Sequence, residues 1–148
     1  MTVLVPYLIL ASGLKLIFDI GNFRLIGFLP IVFGIVLYSW TAWDFAFAGR
    51  GTPAPIDPPK VLVSRRLYRI VRNPMYIGVL SVLVGEAIFF MSATLFAYAL
   101  VVWSLFHLFV VYYEEPNLRQ RFGAAYEEYC KAVSRWIPRL RRAGGDEF

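Results

Sequence analysis

Long apolar runs with almost no charge inside them constrain this chain more than any other feature. Four such runs cover about residues 3–18, 25–48, 76–91 and 93–113. A helix rises about 1.5 Å per residue and a bilayer core is about 30 Å thick, so runs of this order are membrane-span lengths. With 59% hydrophobic and 17% charged residues, the chain departs from a soluble domain, which holds apolar residues to about half. An ordinary soluble globule, a disordered chain and a disulfide scaffold are thereby excluded, and the lone Cys130 has no internal bridging partner. The expected fold is all-α and integral to a membrane: one domain over residues 1–148, four spans, and no internal repeat.

The net charge of +5 raises the question of a nucleic-acid partner, and its placement answers it. Six of the fifteen Lys and Arg residues fall between Arg50 and Arg72, and seven between Arg119 and Arg142. Basic residues confined to alternate loops mark the cytoplasmic side of a multi-pass protein. A basic stripe on a soluble face would be the mark of a nucleic-acid reader, so no nucleic acid is expected. Both termini are expected to be cytoplasmic. The first run has no basic stretch before it and no small-x-small cleavage site after it, so it reads as a retained span.

Between the spans, local chemistry sets the path. Asp19-Ile20-Gly21-Asn22 reads as a turn, and Pro30 falls early in the second span, where a missing N–H is tolerated. Pro53, Pro55, Pro58 and Pro59 favour a stiff extended path. Over residues 61–72, Val63, Leu67, Ile70 and Val71 follow helical spacing while Arg65, Arg66, Arg69 and Arg72 take the other faces. This pattern predicts an interfacial amphipathic helix, ended by Asn73-Pro74. Gly78, Ser81 and Gly85 form a small-residue stripe, and an uncharged turn near Ser92 makes the last two spans a tight hairpin. Pro116 then opens a cytoplasmic amphipathic helix over residues 116–134, with Leu118, Phe122, Ala125, Tyr126, Tyr129 and Val133 on one face.

The polar exceptions inside the spans are Asp44, Glu86 and His107, and ionisable groups there are costly enough to suggest function. Each also has a plain structural reading. Asp44 snorkels or meets an arginine, Glu86 is protonated or hydrogen-bonded between helices, and His107 makes a structural hydrogen bond. Glu114 and Glu115 end a long apolar run; they form either a solvated helix end, with Glu115 paired to Arg119, or a site facing Arg72-Asn73-Pro74-Met75-Tyr76.

The ordered set Arg72-Asn73-Pro74-Met75-Tyr76-Ile77-Gly78, then Glu114-Glu115, Leu118, Phe122-Gly123, Tyr126, Tyr129 and Pro138, resembles one family. It is that of the integral-membrane methyltransferases, which includes isoprenylcysteine carboxyl methyltransferase and phosphatidylethanolamine N-methyltransferase. Gly49-Arg50-Gly51-Thr52, Leu62, Ser64 and Tyr68 extend the likeness, so that it covers about residues 49–138; the first two spans match in hydropathy alone. The resemblance implies an enzyme that binds S-adenosylmethionine (SAM) without a Rossmann fold. Carried over by position, it implies a cofactor site of Lys60, Val61, Leu62, Val63, Tyr68, Asn73, Pro74, Met75, Tyr76, Glu114 and Glu115. Asn73 stands where many relatives have His. Val110 stands where relatives that act on prenylated cysteine have Arg, which tilts the reading away from a carboxylate acceptor.

Chemistry agrees with a site at the cytoplasmic boundary. SAM carries a sulfonium and an ammonium, which suit carboxylates and aromatic faces such as Tyr68, Tyr76 or Tyr126. An amine or thiol acceptor must lose a proton, and Glu114 is the first candidate base. His107 is a second catalytic candidate, seven residues earlier and about 10 Å deeper. A phospholipid amine, an isoprenylcysteine-like carboxylate and a small thiol all stay open as acceptors. No metal is expected, and the oligomeric state is left open. The alternative is a non-enzymatic membrane protein, such as a transporter subunit or a quinone or haem binder, although a single histidine suits haem poorly. The closing Gly144-Gly145-Asp146-Glu147-Phe148 spells a diguanylate cyclase signature with no α/β domain around it, and reads as coincidence.

Overall fold

An apolar run can satisfy its own backbone N–H and C=O groups only by coiling into a helix. A computed structural model describes residues 2–13, 21–48 and 66–138, and every regular element among them is helical. In chain order these are α1 (Leu4–Ala11), a 3-10 stretch (Gly21–Gly27) leading into α2 (Phe28–Ala48), and a 3-10 turn (Arg66–Arg69). Then come α3 (Pro74–Phe89), α4 (Ala93–Phe109), a wide π turn (Val110–Glu114), α5 (Glu115–Phe122) and α6 (Ala124–Ala132). Two rods are long and apolar enough to cross a membrane, Gly21–Asp44 with 24 residues and Ala93–Phe122 with 30; α3 is apolar but has 16 residues. The uncharged part of the second rod ends at Tyr113, so Glu114 and Glu115 lie beyond it. The eight residues of α1 are too few to span alone, and residues 14–20 of the chain lie outside the described residues.

The surface is apolar where a soluble protein's would be polar. Leu29, Phe33, Val36, Trp40 and Trp43 of α2 and Leu100, Leu105 and Leu108 of α4 all point outward. Apolar faces of this extent mark contact with lipid or a partner.

The Gly78–Ser81–Gly85 stripe does admit a close neighbour, but that neighbour is α2, not the α4 of the expected hairpin. Gly34 and Gly78 face each other so closely that a Cβ at Gly34 would stand 2.5 Å from the Gly78 carbonyl oxygen. A Cβ at Gly85 would stand 2.7 Å from the carbonyl oxygen of Gly27. The two helices thus run antiparallel with backbone against backbone. Gly34→Ala is expected to cost about 1–3 kcal/mol by overpacking. Ile35→Ala, one residue away on the outward face, should be far milder; equal melting temperatures for the two variants in detergent would rule out the close contact.

The α3–α4 hairpin exists as expected, and its seam is filled by side chains: Leu83, Ala99 and Val102, flanked by Val79, Leu80 and Phe106. Ser92 caps α4 by accepting the Leu95 N–H at 3.3 Å, and Met91 takes a left-handed φ of 51° to make the turn tight.

Two cytoplasmic expectations change. The helix expected over residues 116–134 is two, because Gly123 at φ 53° breaks it between α5 and α6. Within the described part of residues 61–72, the expected amphipathic helix is one 3-10 turn, followed by an isolated parallel bridge between Val71 and Ser134. Pairing with the later segment gives Val71 and Arg72 backbone partners that a helix would otherwise supply.

Candidate active site

The site is assembled where the start of α3, the end of α4 and the segment after α6 meet. Arg72 N–H donates to the Ser134 carbonyl at 2.9 Å, and the Asn73 amide donates to the Arg135 carbonyl at 3.2 Å. The Tyr129 hydroxyl donates to the Tyr68 carbonyl at 2.6 Å. These bonds tie residues 68–73 to residues 129–135. Asn73 is buried, and its side chain serves as a strut between segments.

Glu115 is the ionic centre of this assembly. It is 3% exposed and accepts two hydrogen bonds from Arg135, at 2.7 and 3.0 Å, while Arg72 stands 3.2 Å away. The Arg119 contact expected from helical spacing is the weakest of the set at 4.0 Å, and Arg119 turns to Glu127 at 2.8 Å. A buried carboxylate needs such partners to stay charged. Arg72 also donates to the Cys130 sulfur at 2.7 Å.

Glu114 faces a different environment because of the π turn. The Glu115 N–H reaches back five residues to the Val110 carbonyl, and the widened turn lets two adjacent acids both point into the protein. It also accommodates Pro116, whose ring would clash with a carbonyl four residues back in a continuous α-helix. Single wide turns of this kind recur at functional sites. The Tyr76 hydroxyl donates to Glu114 Oε2 at 3.2 Å, and Oε1 has no hydrogen bond among the described residues. Burial raises the Glu114 carboxyl above the usual carboxylate range; the Tyr76 hydrogen bond opposes this and the charge of Glu115 adds to it. Burial, and then the charge of Glu114, push the Tyr68 phenol up, so Tyr68 stays protonated. Tyr76 therefore bonds the carboxylate, and the Tyr68 phenol lies within reach of its charge.

An aromatic wall continues from Tyr76 along α4. Tyr76 packs on Phe106 at 4.7 Å between ring centres and lies 6.5 Å from Trp136. His107 stacks on Trp103 at 5.6 Å, and the Trp136 indole N–H donates to His107 Nδ1 at 3.1 Å. Tyr68, Tyr76, Glu114 and Glu115 thus come together as expected, and His107 joins them only through Trp136. Pro74 is buried, and Met75 is half-buried beside Tyr76. Lys60, Val61, Leu62 and Val63 lie outside the described residues. Asp44 is buried at the end of α2 instead of snorkelling, and its field reaches Tyr68. Glu86 lies ten residues beyond Tyr76, about 15 Å along α3, away from this layer.

Arg135 and Trp136 are functional neighbours that sequence reasoning did not single out. Both follow the last amphipathic period, in an irregular segment where helical spacing carries no signal.

The donor set fits the expected cofactor. A half-buried carboxylate with one oxygen uncommitted among the described residues, and the Tyr76 hydroxyl on the other, suits a sulfonium and an ammonium.

Comparison with known proteins places the chain in a family. The family model described as phospholipid methyltransferase matches residues 23–125. Protein-S-isoprenylcysteine O-methyltransferase A of Arabidopsis thaliana is 32% identical over 136 residues, covering 88% of this chain and 66% of the relative. A probable protein-S-isoprenylcysteine O-methyltransferase of Oryza sativa subsp. indica is 37% identical over 78 residues, 52% of this chain and 40% of the relative. Methanethiol S-methyltransferase of Pseudomonas deceptionensis is 35% identical over 88 residues, 55% of this chain and 30% of its own length. The chain thus spans between 30% and 66% of the length of these relatives. No solved structure matches it. By the extent of the family match and the position of its acidic and Asn-Pro segments, the chain belongs to the phospholipid methyltransferase family.

Proposed function

We propose that the chain is a membrane-embedded, SAM-dependent methyltransferase acting on a lipophilic acceptor. It passes the membrane four times and keeps both termini on the cytoplasmic side. The observation that carries the reading is the Glu114–Tyr76 pair, held at the end of the longest apolar rod against residues 72–76. The methyltransferase names of its relatives support it and count against a transporter subunit or a haem binder.

When bound, SAM supplies a methyl group on a sulfonium, open to in-line attack. Everything else falls to this chain. Alignment of nucleophile, methyl and sulfur is a matter of position, which well-ordered sites supply efficiently. The Glu115–arginine cluster provides that order by fixing residues 72–76 against α5. Glu114 Oε1 accepts the proton of an amine or thiol acceptor; for a carboxylate acceptor it serves only as a partner for the cofactor's cations. Tyr68 and Tyr76 offer hydroxyl donors and ring faces. A phospholipid amine, an isoprenylcysteine-like carboxylate and a small thiol are the acceptor classes to distinguish.

Transfer of labelled methyl from SAM to a total membrane extract, resolved by acceptor class, tests the activity. Thermal stabilisation by SAM or its demethylated product tests cofactor binding. Absence of both effects at millimolar cofactor would rule the reading out.

The pH profile carries a signed expectation. Glu114 works as a base only when deprotonated, and burial raises its pKa, so the acid limb of kcat should lie above the ordinary Glu value of about 4.3. The Tyr76 hydrogen bond favours the carboxylate, so Tyr76→Phe should move that limb to still higher pH. A limb that moves down, measured with a thiol or amine acceptor, would overturn the assignment of Glu114 as base.

A further inference from the structure

We propose that Trp136 fixes His107 as the tautomer with its proton on Nε2, so that His107 meets the acceptor as a hydrogen-bond donor to a substrate oxygen and not as a base. The substrate half of this proposal rests on the methyltransferase reading; the tautomer half does not.

An indole N–H can only donate. Its approach to Nδ1 at 3.1 Å therefore requires a lone pair on that nitrogen. A neutral imidazole with Nδ1 bare carries its proton on Nε2. The lone pair that a general base would need is the one already occupied. The ring is also held in place: Trp103 stacks on it at 27° between planes, and Trp136 lies against it at 6.2 Å. Trp136 follows Arg135, which is anchored twice, by its side chain on Glu115 and by its carbonyl on Asn73. The cluster that shapes the Glu114 layer thus also aims the indole.

Nε2–H has no hydrogen-bond partner among the described residues. It lies on α4 seven residues before Glu114, in a half-buried setting walled by Trp103 and Trp136. This edge of the ring is not sealed by the protein, so an incoming ligand oxygen can accept from it. The acceptor chemistry that fits carries an oxygen, such as a carboxylate or a phosphate ester, a short way from its hydrocarbon tail. In this account Trp136 is a positioning residue and His107 touches the substrate.

His107 is the only histidine in the chain, so 15N-histidine labelling gives one imidazole spectrum with no assignment step. At neutral pH the wild-type protein should show a bare Nδ1 and a protonated Nε2, and Trp136→Phe should lose this single tautomer. A proton on Nδ1 in the wild type, or an unaltered tautomer in Trp136→Phe, overturns the lock. Should that variant not fold, coupling through the hydrogen bond from the Trp136 indole N–H to Nδ1 reads the same contact in the wild type, and its absence overturns the lock equally. Titration with N-acetyl-S-farnesylcysteine should shift the Nε2 signal, and dodecanethiol, which lacks oxygen, should not. An immobile Nε2 signal, or equal shifts with both compounds, overturns the donor role. Failure of labelled-methyl transfer to both compounds and to the total membrane extract would instead count against the enzymatic reading, and the spectra would still decide the tautomer.

Discussion

Glu114→Ala is expected to abolish methyl transfer to amine and thiol acceptors while leaving the fold intact. Loss of a positioned general base costs about 10²–10⁴-fold in rate. The one described hydrogen bond that disappears is the 3.2 Å contact from Tyr76, whereas the Glu115 cluster loses nothing. Stability should even favour a neutral replacement. A carboxyl with a raised folded-state pKa contributes stability below its unfolded pKa and loses it as pH rises through the folded value. At neutral pH Glu114→Gln should therefore melt no lower than the wild type, yet be inactive. Turnover of purified protein in detergent or nanodiscs, beside its thermal melt, checks both halves. Full activity in Glu114→Ala removes this residue from the site.

Glu115→Ala has the opposite profile, a loss of stability first and of activity through it. Removing one partner of a buried ion pair typically costs about 3–5 kcal/mol, because the remaining charge is left without compensation. The Glu115 side chain is 4% exposed and Arg72 12%, but Arg135 is 29% exposed and water can screen it in part. The expected loss is therefore at the low end, about 3 kcal/mol. Arg119→Ala is the control: with its side chain half exposed and 4.0 Å from Glu115, it should lower the melting temperature little. Equal melts for Glu115→Ala and the wild type would show that the cluster holds nothing together.

Much of this architecture was legible in the residues. Apolar run length placed α2, α3 and α4, because helix is the one structure that pairs every backbone group within its own segment. The ordered Asn-Pro and Glu-Glu segments marked the site, and Tyr76 does reach Glu114. What stayed hidden depends on contacts between distant segments. Nothing local in Val110–Glu114 announces a π turn; it is visible only as the Glu115 N–H bonding five residues back. The seven-residue spacing of His107 and Glu114 predicts one shared face on an ideal helix, and the widened turn between them breaks that register. Arg135 outcompetes Arg119 for Glu115 because its chain approaches with two donors at once, while the helical neighbour must stretch. The glycine stripe does mark a place of close approach, but a stripe names no partner: its counterparts are Gly34 on α2 and Gly27 in the 3-10 stretch that leads into it.

The bridge between Val71 and Ser134, with Arg72 N–H on the Ser134 carbonyl, has a consequence for the timing of biosynthesis. Contacts separated by some sixty residues form only after the later partner has left the ribosome, whereas α2, α3 and α4 can pack as they emerge. The close joining of α2 to α3 can thus precede completion of the Glu114 layer. A chain ending before Val133 would carry Glu114 and Tyr76, yet lack Arg135 to hold Glu115 and Trp136 to face His107. The Glu114 layer is therefore closed last, by the segment that follows α6.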